Sequence, residues 1–97
     1  MTRIDLLLVQ LSEECAEVAV EVSKALRFGP SEVQKWQPLS NAERVARELS
    51  DLFAIVVMLQ GDGVLPRNLA DMDVLEAKKA KVERWMEFSK ECGRLET

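Results

Sequence analysis

Two short acidic stretches hold the residues whose types and spacing suit chemistry. Glu13-Glu14-Cys15-Ala16-Glu17 and Glu48-Leu49-Ser50-Asp51 each place two carboxylates at i and i+3. On a helix that spacing puts both on one side, about 5–6 Å apart at Cβ. Helical projection sets Glu14 and Glu48 at the edges of apolar stripes, with Glu17 and Asp51 one step further out. Glu13 points away from the stripe and reads as solvated. If the two helices pack antiparallel, Glu14, Glu17, Glu48 and Asp51 face one another across a partly buried groove.

Magnitude limits what such a groove can be. Two like charges ~4 Å apart repel by roughly 1 kcal/mol in water and about 4 kcal/mol at an effective dielectric of ~20. Several such pairs would consume much of a typical stability of ~5–15 kcal/mol. A cation that compensates the acids, or protonation of some of them, removes the difficulty. An all-oxygen set suits a hard ion, Mg2+ or Mn2+, rather than zinc. The bland alternative is a pair of solvated helix faces, because Glu-x-x-Glu spacing is common on soluble helices.

The chain has no histidine. That excludes His-based acid–base catalysis, Ser-His or Cys-His nucleophile pairs and His-ligated zinc. It also counts against a di-iron site of the Glu-x-x-His kind. Chemistry here must rest on carboxylates, basic side chains or a metal. A net charge of −4 argues against general binding to a nucleic-acid backbone.

The elements that must position the acids can be read from periodicity. From about Thr2 to Arg27, Ile4, Leu7, Leu8, Leu11, Cys15, Val18, Val22 and Leu26 recur at three and four, and Phe28-Gly29-Pro30 ends that helix. A second apolar set, Leu6, Val9, Ala16 and Val20, lies on its far side. A helix apolar on two faces belongs at a bundle centre or a subunit interface. Gly29 to Leu39 reads as a loop. Ser40 and Glu43 form an S-x-x-E capping box that opens a second helix, with Val45, Leu49, Leu52, Phe53 and Val56 as its stripe, stopped by Gly61-Asp62-Gly63. A third helix is expected from about Asn68 to Cys92, with Trp85 of its apolar seam assigned to the core. The fold class is therefore all-α: one domain over 1–97, an antiparallel helical bundle completed by homo-oligomerisation.

The acidic motifs and their surroundings resemble the all-α nucleotide pyrophosphohydrolases, the MazG-like group that includes helical dUTPases and dCTPases. EExxE on one helix and ExxD on the next carry the likeness. So do Gln10 four residues before Glu14, the run Ser23-Lys24-Ala25-Leu26-Arg27-Phe28-Gly29, and Asn41-Ala42-Glu43-Arg44 leading into Glu48-Leu49-Ser50-Asp51-Leu52. Thirty residues separate Glu17 from Glu48, slightly more than usual in that group, and the loop around Trp36 absorbs the excess. The resemblance implies Mg2+-dependent hydrolysis of NTPs or dNTPs to the monophosphate and pyrophosphate. Glu14, Glu17, Glu48 and Asp51 would be both metal ligands and catalytic carboxylates. It also implies assembly as a dimer or a tetramer.

Other residues have two open readings. Lys24 and Arg27 are phosphate ligands, or they only complement the C-terminal end of their helix, worth ~0.3–1 kcal/mol. Lys78 and Lys81 are substrate ligands or solvated surface. Gln10 contacts nucleotide or is a polar flank, and Trp36 stacks on a base or pins its loop. Cys15 and Cys92 read as reduced, buried thiols of a cytoplasmic protein. The stretch MTRIDLLLVQLSEE lacks a signal-peptide core, and the apolar run Leu52–Leu59 is too short to span a membrane. The rival to an enzyme is a non-catalytic helical oligomeric interaction or regulatory module.

Overall fold

A computed structural model describes residues Met1–Glu96; Thr97, the last residue of the expected 1–97 domain, lies outside them. It contains α1 (Arg3–Phe28), α2 (Asn41–Gly61) and α3 (Met72–Glu91). The described residues contain no strand, only an isolated antiparallel bridge between Val33 and Ser40, so the chain is all-helical as expected. It divides into two compact units, Met1–Leu65 and a second beginning at Pro66. None of these helices is long and apolar enough to cross a membrane.

Local chemistry fixes the ends of α1 and α2. Thr2 Oγ1 accepts a hydrogen bond from the Asp5 amide at 3.1 Å, and the Thr2 amide donates to Asp5 Oδ2 at 2.9 Å. Ser40 and Glu43 repeat the arrangement at α2, at 3.1 Å and 3.0 Å. Each box satisfies two backbone donors that a helix start leaves orphaned. At the other end of α1, Gly29 takes φ 97°, which a side chain would resist, and its amide closes on the Ala25 carbonyl at 2.9 Å.

α1 and α2 form an antiparallel hairpin. Its register is readable from two ion pairs, Arg3 with Asp62 at 2.8 Å and Glu21 with Arg44 at 2.9 Å. Moving from 3 to 21 on α1 matches moving from 62 to 44 on α2, which is about 27 Å along each axis. The outer pair is largely solvent-exposed and contributes little to stability. The inner one is sequestered, with the Glu21 side chain only 7% exposed.

The loop between them is organised by one amide. Asn41, the first residue of α2, is fully buried. Its Nδ2 donates to the Gly29 carbonyl at 2.8 Å and to Glu32 Oε1 at 3.0 Å, and its Oδ1 accepts from Gln34 Nε2 at 2.8 Å. Its backbone amide donates to the Glu32 carbonyl at 2.9 Å. The end of α1, the loop and the start of α2 are thus tied at one point.

In the second unit, α3 starts later than its apolar seam suggests. Residues 67–70 form a turn, and Asp71, in extended conformation and without a side-chain capping hydrogen bond, precedes a helix that begins at Met72. Trp85 is 59% exposed rather than in a core, and it meets Phe88 edge-on at 5.8 Å between ring centroids.

Burial corrects the expected core. Among the described residues only Leu7 and Leu59 are buried apolar side chains, and only Leu59 fully so. Ile4, Leu8, Val22 and Leu26 of the predicted α1 stripe are exposed, as are Leu6, Val9 and Val20 on its far side and Phe53 and Val57 of α2. Cys15 and Cys92 are free and exposed, not buried. Two helices offer each other one seam, and the remaining apolar surface finds no cover within the hairpin.

Asn41→Ala should lower the melting temperature, because Gln34 and the Gly29 carbonyl lose buried partners at a cost of about 1–3 kcal/mol. Thermal unfolding followed by circular dichroism measures this. An unchanged midpoint would mean that other contacts hold the loop.

Candidate metal centre

The hairpin register brings the two acidic motifs together. On α1, Gln10, Glu14, Glu17, Glu21 and Lys24 recur at three and four and form one stripe. On α2, Arg44, Glu48 and Asp51 do the same. With Glu21 on Arg44, one step along α1 for one step back along α2 sets Glu17 opposite Glu48 and Glu14 opposite Asp51.

One carboxylate oxygen from each of Glu14, Glu48 and Asp51 lies within 4.8 Å of the other two. Glu14 and Glu48 are half-buried, and Asp51 is exposed. Glu17 is exposed and stands outside this group of three, although its charge is felt at Glu48. The donor set is all oxygen and fits a hard divalent cation. Two oxygens across one Mg2+ can be at most ~4.2 Å apart, given Mg–O distances of 2.0–2.1 Å.

Electrostatics set the cost of this convergence. Burial raises the Glu48 pKa above the ordinary glutamate value, and the charges of Asp51, Glu17, Glu14 and Glu21 push it further up. Like charges within 4.8 Å of one another repel by at least ~0.9 kcal/mol in water, and by more where solvent is excluded. Of the five carboxylates along the seam, Glu21 takes both Arg44 and Lys24, and Glu14, Glu17, Glu48 and Asp51 have no ion-pair partner among the described residues.

Glu21 and Arg44 lie at the end of this seam, and neither stood out among the candidate ligands in the sequence. Arg44 Nε donates to Glu21 Oε2 at 3.0 Å and Nη2 donates to Oε1 at 2.9 Å, a two-pronged pair. The Arg44 hydrogen bonds hold the Glu21 carboxyl below the ordinary glutamate range against the opposing effect of burial. Its contribution to stability is therefore full above pH ~4.3 and is lost as pH falls through the lowered native value. The available signal was spacing: Glu21 continues the Glu14–Glu17 row, and Arg44 precedes Glu48 by one helical turn.

The remaining predicted site residues fall in different places. Gln10 is half-buried one turn before Glu14. Lys24 donates to Glu21 Oε1 at 3.4 Å. Arg27 is exposed, with its guanidinium 5.0 Å from the centre of the Phe28 ring. Lys78 and Lys81 belong to α3 in the second unit, where Lys81 lines a surface hollow with Arg84, Trp85 and Phe88. Trp36 is 89% exposed and is the one non-glycine residue at positive φ among the described residues.

A second feature adjoins the acids. Arg44, Arg47 and Glu48 of α2, with Gln37, Pro38 and Leu39 of the loop, line a hollow of about 170 Å³. Glu48 belongs to both the hollow and the acidic cluster. No protein-family model, curated protein or solved structure matches the chain.

Glu48 has a raised proton affinity, so its penalty is absent below pH ~4.3 and grows as pH rises through its native pKa. Glu48→Gln should therefore raise the melting temperature of metal-free protein at pH 7, and the gain should vanish near pH 4. Differential scanning fluorimetry in EDTA across that range reads both. A variant less stable than wild type at pH 7 would contradict the charge account.

Proposed function

We propose that the chain is a Mg2+-dependent nucleotide pyrophosphohydrolase of MazG-like type, with Mn2+ as an alternative metal. It would cleave NTPs or dNTPs to the nucleoside monophosphate and pyrophosphate. The observation that supports this most is the convergence of Glu14, Glu48 and Asp51 from two helices within 4.8 Å, beside an uncompensated negative charge. The motif resemblance supplies the reaction type.

Glu14, Glu48 and Asp51 would hold the cation, with Glu17 one turn away completing the acidic wall. The bound cation supplies neutralisation of phosphate charge and a more acidic water. The chain's own residues do the rest. The hairpin holds the four carboxylates in one register, so the reacting phosphate meets a fixed array. Water attacks the α phosphorus, an α–β phosphoanhydride P–O bond breaks, and the electron pair leaves on pyrophosphate. A carboxylate of the set takes the water's proton. No histidine or cysteine nucleophile is required.

The reading extends to assembly and location. The exposed apolar residues Leu6, Val9 and Val20 on α1, with Phe53 and Val57 on α2, favour a homo-oligomer, a dimer or a tetramer. The same exposed surface also favours the second reading, a non-catalytic helical interaction or regulatory module. A cytoplasmic site of action fits two free thiols.

Product analysis on a panel of NTPs and dNTPs separates the two readings, with protein whose mass is set by light scattering. Expected are a multiple of the 11.0 kDa chain mass, monophosphate and pyrophosphate with Mg2+, none with EDTA, and loss of at least a hundredfold in rate with Asp51→Asn. Turnover that survives EDTA and the substitution would remove the acidic cluster from the reaction. No turnover, together with no thermal stabilisation by Mg2+, would leave the interaction module.

A further inference from the structure

The hollow beside Glu48 has a size and a charge that the acidic cluster does not explain. Its volume, about 170 Å³, is several times the ~30 Å³ share of one water in the liquid. It is well short of the ~300–1,000 Å³ of a site that encloses a whole drug-sized ligand. It suits one or two phosphate groups with their waters, not a complete nucleotide.

Its two arginines are in different states. Arg44 turns Nε and Nη2 to Glu21, so its charge is answered within the chain. Arg47 lines the same hollow, is exposed, and makes no side-chain hydrogen bond or ion pair among the described residues. It therefore carries a free guanidinium fork next to a dense cluster of acids. Asp51 lies four residues on, within reach along the helix, but Arg47 is not paired with it. A planar five-donor fork matches phosphate oxygens two at a time.

The approach to the hollow is shaped by the loop. Trp36 takes φ 70°, a left-handed conformation that a residue with a side chain rarely adopts. The Gln37 amide then closes on the Gln34 carbonyl at 3.0 Å. Gln37, Pro38 and Leu39 of this loop line the hollow together with the arginines, and Asn41 hydrogen-bonds to Gln34 and to the Gly29 carbonyl. The loop wall is thus held in place before anything binds.

We propose that this hollow is the subsite for the pyrophosphoryl portion of the substrate and that Arg47 is its anion-recognising residue. The assignment rests on the pyrophosphohydrolase reading for the identity of the substrate, but not for the anion chemistry of the hollow. With the bond to be cleaved at the Glu14–Glu48–Asp51 cluster, the β and γ phosphates extend past Glu48 towards Arg47. The leaving pyrophosphate is the group that Arg47 then holds. Arg47 is a binding residue that draws the phosphate chain into line; it takes no proton.

The test uses the full chain with Mg2+, and inorganic pyrophosphate as the probe. Isothermal titration should show pyrophosphate binding weakened roughly 10- to 100-fold by Arg47→Ala, the scale of lost charge-assisted hydrogen bonds. Arg47→Lys should recover only part of it, since an ammonium lacks the fork. KM for the best nucleotide should rise in parallel, with helical circular dichroism and the Mg2+-induced melting shift unchanged. Wild-type affinity for pyrophosphate in Arg47→Ala, with nucleotide turnover intact, would overturn the subsite and leave the pyrophosphohydrolase reading standing. Arg47-dependent pyrophosphate binding in a protein that hydrolyses no nucleotide would keep the anion site and overturn that reading. No pyrophosphate binding by wild type would overturn the subsite outright.

Discussion

Five carboxylates converge on one seam between two helices, and the rest of the hairpin has to hold them there. Like charges at this spacing push helices apart, so the register needs an opposing attraction at a defined point. The Glu21–Arg44 pair provides it: two hydrogen bonds of 3.0 and 2.9 Å, with Glu21 nearly sealed from water. A buried pair of this kind is weak evidence for net stability, because desolvation offsets the Coulombic gain. Its value lies in register. Any slip of α1 against α2 strands Glu21 without its partner and scatters Glu14, Glu48 and Asp51.

The loop is coupled to that register from the other side. Asn41 joins the end of α1 to the start of α2, and Arg44 follows one turn later. The same turn of helix that anchors the hairpin also presents Arg47 and Glu48 to the hollow. Structural and site residues therefore alternate along a single stretch from Asn41 to Asp51. This economy explains why the site can exist in a hairpin with so little fully buried apolar surface. Positional accuracy comes from polar contacts at a few points, and much of the apolar surface stays exposed.

Much of this was legible in the sequence. The apolar periodicity and the Ser40–Glu43 box located α1 and α2 closely, because caps and breakers act through local chemistry. The i, i+3 acids and their place at the stripe edges anticipated the grouping of Glu14, Glu48 and Asp51. Residues whose roles depend on distant partners were not legible. Asn41 looks like an ordinary first-turn residue until Gly29 and Gln34 fold over it, and Glu21 looks solvated until Arg44 reaches it. The apolar stripes misled in one respect. Periodicity reports which face is apolar, not whether this chain alone covers it, so Cys15 and Trp85 were placed in a core and are exposed. The start of α3 was missed because residues 67–70 form a turn and the backbone stays extended at Asp71, although the apolar pattern begins earlier.

The central claim is that Glu14, Glu48 and Asp51 hold a divalent cation between α1 and α2. Anomalous scattering from crystals grown with Mn2+ tests it most directly, since it locates the ion without reference to activity. The account predicts a peak bounded by oxygens of Glu14, Glu48 and Asp51. A map from Mn2+-saturated crystals with no peak at these residues, or with the ion bound elsewhere, would contradict it.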